Sequence, residues 1–253
     1  MLKPVLGNLP QVGHTIPMPI GLWLFNEGGG AIIQDLSGNG NTGALLEDTH
    51  FAAGKFGTAL SFDGSDDVVI VDNPAGMLPH IGTVIVRYSP SASKVGGQLF
   101  SHRTAGVNNR IYVIDDSLNI SIGIGNLGTV DTGVNSVIGK YNQIVLVWNN
   151  GTYAAYVDGI EKLSSTYTDF STLSPRVSFG AYATILPAVA EYQGLIDYEM
   201  IFNKALTAQQ IAQLYIDPFP WFRQEPIDLW TAATSVGAVP PSSIAILRRR
   251  RSA

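Results

Sequence analysis

The stretch Gln143-Ile144-Val145-Leu146-Val147-Trp148-Asn149-Asn150-Gly151-Thr152-Tyr153-Ala154-Ala155-Tyr156-Val157-Asp158-Gly159 decides the fold class. Residues 143–148 and 153–157 are rich in β-branched and aromatic types, which fit a pleated, half-buried surface. Between them, Asn149-Asn150-Gly151 is a turn sequence. Asp158-Gly159 at the far end tolerates the positive φ angles of a tight type I′ turn. The stretch therefore reads as a β-hairpin running on into a second turn. Similar runs lie at residues 21–25, 59–62, 68–71, 83–88, 98–101, 110–114, 118–124, 176–179 and 194–202, bounded by turn formers. Many short strands with almost no helix predict an all-β antiparallel sandwich.

One helix is signalled near the end of this region. Thr207 with Gln210 three residues later spells a capping box, Ile211, Leu214 and Tyr215 supply an apolar face, and Pro218 stops it. At about ten residues such a helix cannot stand alone in water, so it must dock on the sandwich.

The chain has 253 residues, a length that buries roughly 70–75% of the surface the unfolded chain exposes. One full-sized domain with a real core is expected. With no cysteine, a disulfide framework, thiolate metal sites and a Cys nucleophile are excluded. Charged residues are 14% of the chain, against roughly 25% in an average soluble domain, which points to surface covered by other chains. No stretch approaches the roughly 20 apolar residues of a membrane span. Pro4, Gly7, Pro10, Pro17 and Pro19 interrupt any apolar run behind Lys3, so no signal peptide is expected.

Charge divides the chain unevenly. Net charge is −5, yet Arg248, Arg249, Arg250 and Arg251 are four of the 15 basic residues. Without them, 11 basic residues face 20 acidic ones, a body of −9 with a tail of +4. An acidic body disfavours nucleic acid as a partner. Composition marks three regions: a Pro-rich, extended N-terminal arm over 1–19, the strand-rich sandwich over 20–216, and a C-terminal arm over 217–253. That last arm mixes Pro with aromatic residues and ends in the Arg cluster.

Several segments together resemble the laminin-G-like, concanavalin A-like jelly roll of the lectin-glucanase family, including its phage-encoded members. Gly21-Leu22-Trp23-Leu24-Phe25-Asn26-Glu27 followed by Asp35-Leu36-Ser37-Gly38-Asn39-Gly40-Asn41 is similar to that family's first strand and loop. Gly54-Lys55-Phe56-Gly57 with Ala59-Leu60-Ser61-Phe62-Asp63-Gly64 resembles its second signature, and Tyr156-Val157-Asp158-Gly159 the end of its central hairpin. Gly194-Leu195-Ile196-Asp197, with Phe202-Asn203-Lys204-Ala205-Leu206-Thr207 and the helix, resembles its closing strand and helix. The chain departs at Tyr198, where the family more often has an acid, and in the sparse aromatic content of residues 83–88. The resemblance implies the fold; it does not name the function, because this scaffold hosts lectins, glycosidases, adhesion modules and virion shell proteins.

Glycoside hydrolysis needs two carboxylates roughly 5–9.5 Å apart. The best pair is Asp197 and Glu199, which strict alternation places on one face of a strand. The E-x-D-x-x-E arrangement of related hydrolases is missing around it, and no catalytic residue is assigned. Gly123-Ile124-Gly125-Asn126-Leu127-Gly128 spells G-x-G-x-x-G, but Thr129-Val130-Asp131-Thr132-Gly133 has no helical periodicity, so it reads as strand and turn rather than a phosphate cradle. His14, His50, His80 and His102 are too scattered for zinc, and no G-x-S-x-G elbow is present.

Calcium is the one ion the residues suit, since hard cations want several oxygens. Asp63, Asp66 and Asp67 cluster after one strand, and Asp35, Asn39 and Asn41 cluster in the first loop. The alternative is that these side chains make Asx-turns with their own backbone. The resembled fold lays its first and last strands together, which implies that Asp197 approaches one of these loops. Asp63 and Asp197 are therefore the metal candidates. For sugar binding, Tyr112, Tyr153, Tyr156 and Tyr182 are candidates, whereas Trp23 and Trp148 read as core. No pocket is singled out.

Phe219, Trp221, Phe222 and Trp230 can each bury roughly 150–250 Å². Together with Arg248, Arg249, Arg250 and Arg251 they are expected to serve assembly, by folding back on the sandwich or strapping onto an adjacent copy or another virion protein. The sequence reading is thus a non-catalytic structural virion protein on the particle surface, with capsid decoration as its favoured form and no cofactor beyond a structural calcium. Its alternative is a carbohydrate-binding adhesin or tail-fibre module that recognises surface glycans.

Overall fold

A computed structural model describes residues 16–77, 79–104, 109–168, 172–183 and 188–222. The strands are β1 (Gly21–Trp23), β2 (Ile32–Ile33), β3 (Gly43–Leu46), β4 (His50–Ala53), β5 (Thr58–Asp63) and β6 (Val68–Asp72). There follow β7 (Ile81–Pro90), β8 (Gly97–Arg103), β9 (Arg110–Asp116), β10 (Asn119–Ile124) and β11 (Val130–Asn135). β12 (Asn142–Asn149), β13 (Thr152–Val157), β14 (Ile160–Thr166), β15 (Arg176–Phe179) and β16 (Gln193–Phe202) complete the set, before helix α1 (Ala208–Ile216).

The hairpin read from the sequence forms between β12 and β13, in the register Ile144 opposite Val157 and Trp148 opposite Tyr153. Asn150 and Gly151 take φ of 45° and 85°, and Asp158 and Gly159 take 51° and 77°, the paired positive angles of two type I′ turns. Two eight-stranded antiparallel sheets result. The first runs β14-β13-β12-β7-β16-β5-β4 with β1 also on β16; the second runs β11-β10-β9-β8-β15-β6-β3-β2. Their inner faces meet in one core that includes Trp23, Phe62, Val86, Tyr88, Phe100, Val113, Ile122, Leu146, Trp148 and Phe179.

The strands that composition did not reveal are β2, β3, β4, β11 and β14. β14, β4, β11 and β2 are the four ends of the two sheets, and β3 lies next to an end. An edge strand buries little, so its apolar alternation is weak; β14 is almost wholly exposed.

α1 opens with the expected capping box. Gln210 N donates to Thr207 Oγ1 at 3.3 Å and Thr207 N donates to Gln210 Oε1 at 2.9 Å. The chain leading into it is tied to β7, where the Thr83 hydroxyl accepts from Leu206 N and donates to Lys204 O. Ile211 and Leu214 are buried, and Tyr215 lies against the Asp158-Gly159 turn, where a side chain on Gly159 would meet Tyr215 Cβ at 3.1 Å and its ring at 3.3 Å. The short helix is docked, as its length requires. The chain divides into two compact units, residues 1–220 and 221–253.

Candidate functional site

Asp197 and Glu199 do not share a face. A β-bulge between Ile196 and Tyr198 puts an extra residue into β16, so Tyr198 pairs with Arg87 on the outer face and Glu199 pairs with Val86, a core residue. Asp197 stays on the outside and accepts from Lys55 N at 2.7 Å. Burial raises its pKa, while the backbone N–H groups of Lys55 and Phe56 and the Arg87 charge pull it back. Glu199 points inward with no exposure, and neither carboxyl oxygen has a hydrogen-bond partner. Strict alternation of side chains holds only along an unbroken strand, and the bulge breaks it here. Two acids on opposite faces of a sheet cannot flank one glycosidic bond.

The calcium candidates separate as well. Asp35 accepts from Leu22 N, Ser37 N, Ser37 Oγ and Asn41 N at 2.8–3.0 Å. Asn41 in turn donates from Nδ2 to Ile20 O at 2.7 Å and accepts at Oδ1 from Ala75 N at 2.6 Å. The first loop is therefore a backbone clasp, the Asx-turn alternative, in which both Asp35 carboxyl oxygens and Asn41 Oδ1 accept hydrogen bonds. Asp63, Asp66 and Asp67 do converge, with one carboxyl oxygen from each within 4.8 Å of the others. Asp67 already accepts from Asp63 N at 2.7 Å, and Asp63 from Ser65 N at 2.7 Å. Burial, joined by the charges of Asp63 and Asp66, raises the Asp67 pKa. Asp197, expected to approach one of these two loops, does not lie opposite Asp63. Asp63 lies opposite Gln193, whereas Asp197 follows Ile196, which lies opposite Leu60 three residues earlier on β5. Asp197 instead holds the Lys55 loop, and Gly54 is needed there because any side chain would collide with Asp197 Oδ1.

Polar and aromatic groups converge on the outer face of the second sheet. On β9, Ile111 and Val113 face the core, so Arg110 and Tyr112 face outward. On β8, Arg103 lies directly opposite Arg110. The Arg103 guanidinium sits 3.4 Å from the Tyr182 ring centroid and 5.7 Å from that of Tyr112; Arg110 lies 5.8 Å from Tyr112. Tyr112 OH is 3.1 Å from the hydroxyl of Thr129, an exposed residue. The Tyr112 ring can lie flat because its cross-strand neighbour is Gly123, where a Cβ would occupy the ring's place. The glycine spelling that suggested a phosphate loop thus serves ring packing. Burial lowers the Arg103 pKa, and Arg110 acts in the same direction, against the two tyrosines.

Of the tyrosines read as sugar candidates, Tyr112 and Tyr182 meet here. Tyr153 belongs to the core and packs edge-on against Tyr167, and Tyr156 donates to Glu161 Oε2 at 3.0 Å on the other sheet. Trp23 and Trp148 are core, as expected. Arg103 and Arg110 escaped the sequence reading, since only the β8–β9 register brings them together.

The first sheet carries a second outward cluster. Arg87 lies 5.6 Å from the Phe56 ring centroid and 5.7 Å from that of Tyr141. Phe219, expected to serve assembly, packs on its own chain, 5.4 Å from Phe56 and 5.2 Å from Tyr198. Trp221 and Phe222 lie in a 3-10 turn, Pro220–Phe222; Trp221 is buried and Phe222 is 37% exposed. Trp230, Arg248, Arg249, Arg250 and Arg251 lie outside the described residues.

A family model described as the concanavalin A-like lectin/glucanases superfamily matches residues 63–212. Among solved structures, domain 4 of AbnA, a GH43 extracellular arabinanase from Geobacillus stearothermophilus in complex with arabinotriose, superposes with a TM-score of 0.64 at 20% identity. That match covers 78% of this chain and 98% of that one. The botulinum neurotoxin serotype D binding domain gives 0.60 at 17% identity, covering 79% of this chain and 51% of that one. Trypanosoma rangeli sialidase in complex with sialic acid gives 0.63 at 14% identity, covering 78% of this chain and 32% of that one. At these identities the likeness is one of fold. No curated protein sequence matches the chain.

Proposed function

This chain belongs to the concanavalin A-like lectin/glucanases superfamily, and from that premise we propose that it is a non-catalytic, glycan-binding sandwich. The outer face of the second sheet carries the reading. The half-buried Tyr182 ring, Arg103, Arg110 and the Thr129 hydroxyl lie in one patch around the buried Tyr112. A saccharide offers apolar C–H faces and many hydroxyls, so its site needs ring surface with a few converging polar groups. The arabinotriose held by the arabinanase domain supports a saccharide as ligand for this scaffold. The opposite facing of Asp197 and Glu199 supports binding without hydrolysis. The test is a glycan array on the full chain, followed by calorimetry on Tyr182→Ala. Saturable binding weakened about tenfold or more, a loss of at least 1.4 kcal/mol, is expected. A wild-type chain that binds no saccharide ends the reading.

Calcium at Asp63, Asp66 and Asp67 is tested on the same protein by thermal melts with EDTA and with added Ca²⁺. A raised Tm with Ca²⁺ that Asp66→Asn abolishes supports the ion; coincident melts refute it.

A particle-surface role is the second reading, favoured by the low charge content and by the +4 tail on a −9 body. Quantitative mass spectrometry of purified particles measures it. Near-stoichiometric copies relative to the shell protein support decoration, a handful support a tail adhesin, and absence removes the virion setting.

A further inference from the structure

We propose that the outer face of the first sheet carries a second saccharide site, in which Gln143, Arg87 and Asp197 bind neighbouring hydroxyls of a neutral sugar and Phe219 closes the entrance. The site goes beyond the glycan-binding reading, which concerns the other sheet.

Three adjacent strands present these groups in one row. Gln143 on β12 and Tyr198 on β16 both lie opposite Arg87 on β7, and Asp197 sits in the bulge beside Tyr198. The Gln143 amide reaches across β7, with Nε2 donating to the Tyr198 hydroxyl at 2.9 Å. The other polar atoms of the row are unspent. Gln143 Oε1 and Asp197 Oδ2 are buried acceptors with no hydrogen-bond partner, and Arg87 Nε is a buried donor with none. Gln143 is fully buried and Asp197 is 2% exposed, so each unpaired atom has given up its hydration for nothing in return. Three such atoms on neighbouring strands point to one shared partner.

The groups themselves define its chemistry. Two acceptors require donors, and the one donor requires an acceptor. A metal ion meets only the first need and is repelled by the Arg87 charge; an anion meets only the second and faces the Asp197 carboxylate. A hydroxyl donates and accepts at once, so neighbouring hydroxyls of a neutral sugar satisfy all three atoms. Phe56 is 40% exposed and lies 5.6 Å from the Arg87 guanidinium, which adds ring surface for the sugar's C–H face. Access is set by Phe219. It packs on the two rings that border the row, 5.4 Å from Phe56 and 5.2 Å from Tyr198, and its segment belongs to neither sheet.

The experiment is calorimetry with arabinotriose, maltotriose and mannotriose on the full chain carrying Tyr182→Ala, which disables the other sheet's patch, with and without Phe219→Ala. A site that must first release a ring binds in proportion to its open fraction, so Phe219→Ala should tighten binding of at least one sugar about tenfold. Adding Gln143→Leu removes an acceptor and should cancel the gain. Adding Arg87→Lys keeps the charge without the Nε donor and should weaken binding about tenfold, the worth of a charged hydrogen bond. Phe219→Leu replaces the Ala variant if that one fails to fold, and Arg87→Lys carries the readout if Gln143→Leu does. Equal binding with and without the Phe219 substitution, or a gain that survives both Gln143→Leu and Arg87→Lys, overturns the second site. Binding that vanishes with Tyr182→Ala whatever residue stands at position 219 also overturns it and leaves the Tyr182 patch standing. A wild-type chain that binds no sugar, beside a Phe219→Ala chain that does, supports this site and ends the reading of the other face.

Discussion

Glu199 puts an ionisable group where the core packs, opposite Trp23 on β1 and Val86 on β7. Burial alone pushes its carboxyl well above the ordinary glutamate range, so the folded chain holds the proton more tightly than the unfolded one. The folded state therefore gains most below the unfolded pKa of about 4.3 and loses that gain as pH rises toward the folded value. Glu199→Leu should remove a buried unsatisfied polar group worth about 1–3 kcal/mol. Each kcal/mol should raise Tm by about 2–4 °C in a chain of this size, and the variant's advantage should widen from pH 4.5 to 8. Urea or thermal melts across that range decide it; an advantage that stays flat with pH would show Glu199 ionised in the core. His102 works with the opposite sign. Its Nε2 lies 2.7 Å from Ser174 O, so that nitrogen carries the hydrogen, and burial lowers its pKa to about 4. Stability from this group is complete above about 6.5 and is lost as pH falls toward about 4, on the order of 3 kcal/mol. His102→Gln should flatten the acid limb of the stability profile and leave the alkaline limb alone.

At the level of elements, turn chemistry was legible and strand irregularity was not. Asn150-Gly151 and Asp158-Gly159 announced their turns because few residues accept paired positive φ angles. Residues 118–124 read as one strand, yet β10 begins at Asn119, and Ser117 and Leu118 form a turn at φ of 55° and 70°. Neither residue type favours that region, so composition concealed the turn. A left-handed conformation costs a non-glycine residue about 1–2 kcal/mol. Replacing Ser117-Leu118 by Asn-Gly should therefore stabilise the β9–β10 hairpin by about 0.5–1 kcal/mol once the added freedom of the unfolded glycine is counted. A shift of the urea midpoint to higher concentration, with an unchanged slope, is the expected result; a lower midpoint would mean that the Leu118 side chain contributes more than the turn strain costs. The site follows the same logic. Tyr112 and Tyr182 were visible as residue types, but their meeting with Arg103 and Arg110 depends on the β8–β9 register. The separation of Asp197 from Glu199 depends on one extra residue in β16. Registers and bulges are fixed by long-range pairing, which local periodicity does not encode.

On the scale of the whole molecule, the family motifs are the clasps that tie distant segments together. Asp35 and Asn41 fasten the first loop to residues Ile20 and Leu22, and Asp197 on the closing strand fastens the Lys55 loop. Phe219 adds a later clasp by packing on Phe56 and Tyr198. Packing on the sandwich thus continues past residue 216, as far as Phe219. Two truncations separate folding from assembly. If residues 223–253 serve assembly rather than folding, a chain ending at Phe222, which retains Phe219 and the buried Trp221, should melt within about 2 °C of the full chain. A chain ending at Ile216 loses Phe219 and bares the rings of Phe56 and Tyr198. Partial burial of one aromatic side chain is worth about 1–2 kcal/mol, so its Tm should drop by about 3–6 °C. Light scattering on the same proteins reads the second role. If residues 223–253 carry the assembly contacts, the 1–222 chain is monomeric at concentrations where the full chain associates. If both chains associate alike, the Arg cluster and Trp230 are not the contacts, and the interface belongs to the sandwich itself.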